Sequence, residues 1–456
     1  MFKLNLMARA VARAIPLALL LPAAFNPLLA QANDSDEMEK LRAEIQQMKE
    51  SYEGRIQSLE SRLQKTEAVA GDAAKAATNA EATGLQANAR PTSSNAFNPD
   101  ISLILSGTYS NRSQNSDYHI TGVQAGGNVG PGTRGFNLGE SELGVYANVD
   151  PHFYGGLNLS LSGDNTASVE EAFIQTTTLP YGVTVKAGRF FSSIGYLNDQ
   201  HAHTWDFVDN PLAYQAFLGT QFGDDGVQLK WLVPIDTFVE VGAEYGRGRI
   251  ADTLGRDKNG GGAASIFAHV GGDIGVSSSW RAGLSYLRVS PQDRQSNDLD
   301  AAGTYVTNHF SGTSKIWLAD FVWKYAPNGN ATSTSFKLQG EFLHRAEDGS
   351  LNTDAYSASQ SGWYLQGIYK FMPEWRTGLR YDRLNSGSVD YGFNASRLAL
   401  VNYDPQRWTW MLDYNPSEFS RIRLQLSRDE SRQGIADNQL YLQYQMSLGA
   451  HGAHKY

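Results

Sequence analysis

The chain has 456 residues, 41% of them hydrophobic, with 38 Lys and Arg against 47 Asp and Glu, a net charge of −9 and no cysteine. An acidic balance without a basic stripe excludes a nucleic-acid-binding surface, and missing thiols exclude disulfides, thiolate metal centres and a lipid-modified cysteine. Beyond the first thirty residues there is no apolar run long enough for a transmembrane helix, a criterion blind to barrels, in which only alternate residues need be apolar.

Residues 1–32 read as a secretory signal. Lys3, Arg9 and Arg13 form the positive region, Ala14 to Ala24 a short apolar core, and Ala30-Gln31-Ala32 a small-x-small cleavage site. From Glu37 to Thr66 the period becomes helical. Met38, Leu41, Ile45, Met48, Tyr52, Ile56, Leu59 and Leu63 form a heptad seam with one stutter near Tyr52, so residues 33–67 are expected to be a self-associating coiled coil. Residues 68–98, rich in Ala, Asn, Thr and Ser, read as a linker.

From residue 99 to 456 the period is two. The last segment shows it most cleanly: Leu440, Leu442, Tyr444, Met446 and Leu448 fall on one face, and Gln439, Tyr441, Gln443, Gln445 and Ser447 on the other. Roughly sixteen such segments of about ten residues follow one another, the length of a tilted strand crossing a bilayer. Proline-bearing turns recur between them, at Asp150-Pro151, Leu179 to Gly182, Pro234 to Asp236, Met372 to Glu374 and Asn415 to Glu418. Longer polar loops alternate with these, including 112–136, 192–223, 249–262, 291–314, 346–359 and 386–405. The expected fold is all-β: an antiparallel transmembrane barrel of about sixteen strands behind a periplasmic coiled coil, with short turns at one end and long loops at the other. Trp317, Phe321, Trp323 and Tyr325, like Trp408, Trp410, Leu412 and Tyr414, share outward faces suited to an interfacial girdle.

Alternation also assigns the lumen. Early strands place Glu140, Glu142, Glu171, Glu240 and Glu244 inside with Lys186 and Lys230. Late strands place Lys337, Arg345, Lys370, Arg376, Arg380, Arg407, Arg421 and Arg423 there, with Glu341, Asp382 and Asp413. Opposed charges across a water-filled gap would set up a transverse field. Loop 192–223, with Trp205, Phe207, Tyr214 and Phe217, is too apolar for a solvated tip and is expected to fold into the lumen, setting a constriction. Asp199, Asp206 and Asp209 would face the basic wall of Lys337, Lys370, Arg376, Arg380, Arg421 and Arg423, with Glu240 and Glu244 opposite. His201 and His203, with Asp199 and Asp206 nearby, form a candidate site for a divalent metal such as zinc or nickel. Adjacent acids such as Glu170 and Glu171 are expected to splay to opposite faces of a strand.

No nucleophile elbow, His-Glu-x-x-His or phosphate loop is present, so neither an enzyme nor a cofactor is expected. On its alternating strands, long third loop from Ser192 to Gly223 and aromatic terminal Tyr456, the chain resembles Gram-negative outer-membrane porins of sixteen strands. The signal, coiled coil and barrel in succession resemble the phosphate-selective porin superfamily in particular. Such porins end in phenylalanine directly after the last strand, whereas here Gly449 to His454 intervene. The resemblance implies a homotrimer in outer-membrane lipid with a pore in each subunit, passing small hydrophilic solutes and ions. That superfamily's ladder of arginines and lysines is replaced by a mixed lumen, so phosphate specificity does not carry over. The competing expectation is a structural or partner-binding barrel without an open pore.

Overall fold

In the computed structural model, the described residues are Gln46 and 99–449, apart from 115–117, 128, 250–256 and 399–401. The signal segment, the linker and the tail histidines lie outside them, as does the coiled coil except for Gln46. The described strands begin with β1 (Asp100–Arg112), β2 (Gly135–Leu138), β3 (Ser141–Asn148), β4 (Phe153–Leu161), β5 (Ala167–Thr176) and β6 (Val183–Phe191). They continue with β7 (Gly223–Leu232), β8 (Phe238–Gly246), β9 (Ala263–Ile274), β10 (Ser278–Val289), β11 (Arg294–Leu299) and β12 (Tyr305–Tyr325). The set ends with β13 (Ser335–Leu351), β14 (Asp354–Met372), β15 (Trp375–Asp390), β16 (Gln406–Ser417), β17 (Ser420–Arg432) and β18 (Ile435–Gly449).

Among the described residues these strands form one antiparallel sheet that closes through β1 and β18, whose register runs from Ser102 opposite Gly449 to Arg112 opposite Gln439. Two strands are interrupted rather than additional. β2 and β3 pair successive stretches of β1, and β10 and β11 pair successive stretches of β12. The ring therefore has sixteen walls. Closure matters because an open edge would leave a row of backbone donors and acceptors unpaired.

The alternation read from sequence appears as alternating exposure. In β9 every second residue from Ala263 to Gly271 is buried, and Ala264, Ile266, Ala268 and Val270 between them are exposed. The outside is apolar: Leu229, Trp231, Ile266, Leu284, Trp317, Phe321, Leu365, Trp408, Leu442 and Tyr444 are all exposed. A water-soluble protein rarely shows a continuous apolar belt of this extent. Cross-strand aromatic pairs tile it, with ring centroids 4.4 Å apart for Tyr381 and Trp408 and 4.7 Å for Trp375 and Tyr414.

Loop lengths are the main correction. Segments expected as polar loops at 346–359 and 386–390 continue as strand, leaving only Asn352 and Thr353 between β13 and β14. Asn352 takes a positive φ of 55° there, which asparagine tolerates. Sequence contrast fades in these extensions because both faces become polar once strands leave the apolar belt. The long loop after β1 also departs from expectation. Ile120, Val123 and Gln124 are each 1% exposed, so this segment packs inside and is not a solvated outer loop.

Candidate functional site

The interior is organised around the segment joining β6 to β7. It contains a short helix, α1 (Leu212–Leu218), every residue of which is buried. Pro211 precedes the helix and Gly219 ends it in the left-handed conformation at φ 66°, where a side chain would be strained. The backbone N–H of Leu212 donates to the Asp382 carboxylate at 3.0 Å, a favourable place for negative charge at a helix start. Leu212, Tyr214, Phe217 and Leu218 share a core with Ile120 and Val123 of the first loop and with Leu287, Ile316, Leu318, Leu343 and Leu384 of the strands. Each fully buried large apolar side chain contributes about 1.5–3 kcal/mol, enough to hold the segment inside.

Polar groups direct how it sits. Glu341 of β13 accepts the backbone N–H groups of Tyr196 and Leu197, both at 3.0 Å, and the hydroxyls of Tyr214 at 2.8 Å and Tyr364 at 2.6 Å. Glu244 of β8 accepts from the Ser193 N–H at 2.9 Å, from Gln228 at 2.7 Å, and from the Ser192 hydroxyl. From the late strands, Arg380 and Arg407 donate to the carbonyls of Asp209 at 2.7 Å and Asn210 at 2.6 Å. Arg421 donates to the His203 carbonyl at 2.9 Å, and Arg423 to that of Trp205 at 3.1 Å.

Asp206 and Asp209 meet the basic wall. Asp206 lies 2.9 Å from Arg376 and also pairs with Lys337; Asp209 lies 3.1 Å from Arg380 and pairs with Arg407. Burial alone would raise the Asp206 carboxyl, but Lys337 and Arg376 outweigh it and hold the group down at about 2. Arg407 and Arg380 likewise keep Asp209 below the usual carboxylate range against the pull of burial. Phe207 lies under the Arg380 guanidinium at 4.6 Å and Phe217 under that of Arg345 at 4.9 Å. Cation–π stacking explains why an aromatic segment is compatible with an arginine-rich interior.

Three placements expected from the alternation change. Much of the basic wall is neutralised rather than left facing open water: Arg376, Arg380, Arg407 and Arg423 pair with Asp206, Asp209, Asp382 and Asp413, since a buried charge without a partner is costly, while Arg421 is held by the His203 carbonyl and Gln445. Lys370 donates to the Ala331 carbonyl at 3.3 Å, near the short turns, and Glu240 pairs with Lys230 at 3.1 Å and His269 at 3.2 Å within the early wall. Asp199 borders the interior cavity.

On the opposite side lie His201 and His203, stacked with ring centroids 5.7 Å apart. The carboxylates around them come from the early strands. His201 Nε2 is 3.0 Å from Glu171 Oε2, and its Nδ1 is 3.3 Å from Glu170 Oε2 and 3.5 Å from Glu142 Oε2. His203 Nδ1 is 2.9 Å from Glu142 Oε1. That Glu170 and Glu171 reach one imidazole corrects the expectation that they splay apart. Asn158 pairs with Glu171 and Leu159 with Val169, leaving Glu170 as the extra residue of a β-bulge that re-aims its side chain inward. Burial would lower the His201 imidazole, but Glu170 and Glu171 more than reverse this and raise it well above its ordinary value.

Sequence reasoning missed Glu341 and Gln124 as organising residues. Gln124 binds Asp298 at 3.0 Å and Ser296 at 2.6 Å, and its carbonyl accepts from Arg294 and Arg345, both at 3.2 Å. Glu341 carried a signal as one of three acids, with Asp382 and Asp413, among the late-strand bases; Gln124 carried none. Beneath the segment a cavity of about 1630 Å³ opens at the short-turn end, lined by Lys186, Asp199, His201, Lys337, Arg376 and Arg421 among others.

No family model matches the chain. Among solved structures, a loop-deleted OmpT, an outer membrane protein of Vibrio cholerae, has a TM-score of 0.49 and 12% identity over 77% of this chain and 99% of that one. The outer membrane channel DcaP of Acinetobacter baumannii has a TM-score of 0.48 and 12% identity over 77% and 97%. A protein of Aquifex aeolicus (strain VF5), described as uncharacterized, is 33% identical over 401 residues, spanning 80% of this chain and 81% of its own length. With identity of that order across most of both chains, this protein belongs to the family of the Aquifex aeolicus protein.

Proposed function

We propose that the chain is an outer-membrane porin of a Gram-negative bacterium, a passive channel for small hydrophilic solutes and ions whose bore is set by the segment 192–223. The carrying observation is the combination of an apolar exterior on a closed ring with a charged interior entered by a folded loop. Lipid outside and water inside is the environment in which that distribution is stable. Discrimination would come from size and charge at the loop, not from turnover. A homotrimer in outer-membrane lipid, with residues 33–67 as a periplasmic coiled coil, completes the reading.

One observation favours the rival reading of a structural or partner-binding barrel. The loops at 118–125 and 194–222 share a single apolar core inside the ring. Planar-bilayer recording separates the two. A porin gives stable conductance steps as the wild type, and its reversal potential in a salt gradient reports ion preference. A structural barrel gives no steps, and acquires them only after residues 196–212 are removed.

A further inference from the structure

Within the ring, three atoms able to ligate a cation converge from separate elements: Glu142 Oε2 on β3, Glu170 Oε2 on the bulge of β5, and His201 Nδ1 on the inward segment. They lie within 4.8 Å of one another. At their centre is the Asn158 amide nitrogen of β4, 3.0 Å from Glu142, 3.2 Å from Glu170 and 2.9 Å from His201. An amide nitrogen has two hydrogens, so it cannot serve all three of these atoms at once. Asn158 and Glu142 are each only 2% exposed, so the point where these side chains meet is shielded from bulk water. A half-turn of the amide would present Oδ1 instead, making a fourth oxygen or nitrogen donor around the same point.

The surroundings have the outer-shell pattern of a metal centre. His201 keeps Nδ1 toward the cluster while Nε2 faces Glu171 at 3.0 Å, the carboxylate–imidazole contact that orients a metal-binding histidine. Glu142 offers one oxygen to the cluster while its other oxygen is held by His203 at 2.9 Å. Glu142, Asn158, His201 and His203 all line the cavity open at the short-turn end, which provides an entry path.

From this convergence we infer that Glu142, Glu170 and His201 form a binding site for a first-row divalent cation of the zinc class, with Asn158 as a further oxygen donor and Glu171 and His203 as orienting residues. One imidazole with carboxylates and an open position suits Zn²⁺. The site stands whether or not the barrel conducts. Bound there, a cation would tie the segment 192–223 to β3, β4 and β5.

The test is isothermal titration of Zn²⁺ into the detergent-solubilised full chain carrying His451→Ala and His454→Ala, which removes competing tail histidines. The expected result is one saturable equivalent per chain. Glu142→Gln and Glu170→Gln should each lower affinity at least tenfold, and Glu171→Gln about 10–100-fold through the orientation of His201, with unchanged far-ultraviolet circular dichroism. X-ray absorption of the zinc-loaded protein should show one imidazole nitrogen at about 2.0–2.1 Å together with oxygens. No saturable binding, binding that survives Glu142→Gln and Glu170→Gln undiminished, or a scattering shell without nitrogen would overturn the assignment.

Discussion

Against the late strands β13–β17, the inward segment is pinned by guanidinium–carboxylate pairs and by arginines stacked on its rings. Against β3–β5 it is held by two imidazoles among three carboxylates. Arginine stays charged at any physiological pH, so the first attachment is permanent, whereas the second depends on which cation, proton or metal, neutralises the acids. The contrast teaches that a single loop can have one fixed edge and one conditional edge, set by which basic residue faces it.

Removing residues 196–212 breaks both edges at once and should have the largest effect. If the barrel is a porin, single-channel conductance should rise several-fold; unchanged conductance and selectivity would show that the segment does not limit the bore. Asp209→Ala attacks the fixed edge alone. It leaves Arg380 and Arg407 short of a buried partner, and should cost about 3–5 kcal/mol, read as a lower denaturant midpoint in detergent and as new protease cleavage between residues 200 and 215. A loss below about 1 kcal/mol would mean that water reaches these guanidiniums freely.

Acid should loosen the same edge by titration. Asp206 is held at about 2, below its ordinary value, so its contribution is complete above roughly pH 4 and is lost as pH falls through about 2. The shift corresponds to about 2 kcal/mol. Fluorescence of Trp205, whose backbone is held by Arg423, should change over that range, and Asp206→Asn should abolish the acid-dependent part. The smallest effect is expected outside the ring, at Arg428 and Glu430. They pair at 2.8 Å, but the arginine side chain is 59% exposed. Arg428→Ala should change stability by no more than about 1 kcal/mol, against the much larger loss at Asp209.

Much of the ring was legible because its signal is local. A period of two needs no knowledge of the neighbouring strand, so segments such as 263–272 and 437–448 could be placed before any pairing was known. The proline turns and the aromatic outer faces are local in the same sense. The aromatic loop 192–223 was recognisable from its composition. Its contacts with Lys337, Arg376 and Arg380 were partly foreseeable from charge, since Asp206 and Asp209 had bases to meet. Lys370 and Glu240 were misplaced because alternation gives the face of a strand but not the height along the ring. Gln124 escaped notice because a glycine-rich, polar stretch looks the same whether it is solvated or buried against Arg294 and Arg345.

By itself the amino-acid order determined which side chains point outward and inward, because the pleat turns alternate residues to opposite faces whatever lies next door. Only the tertiary structure decided what the inward groups meet. The bulge at Glu170 reverses that parity at one residue, and ring closure brings His201 to β3, β4 and β5 while Asp209 reaches β15 and β16. Those juxtapositions depend on curvature, stagger and the path of a long loop, none of which a repeat of two residues encodes.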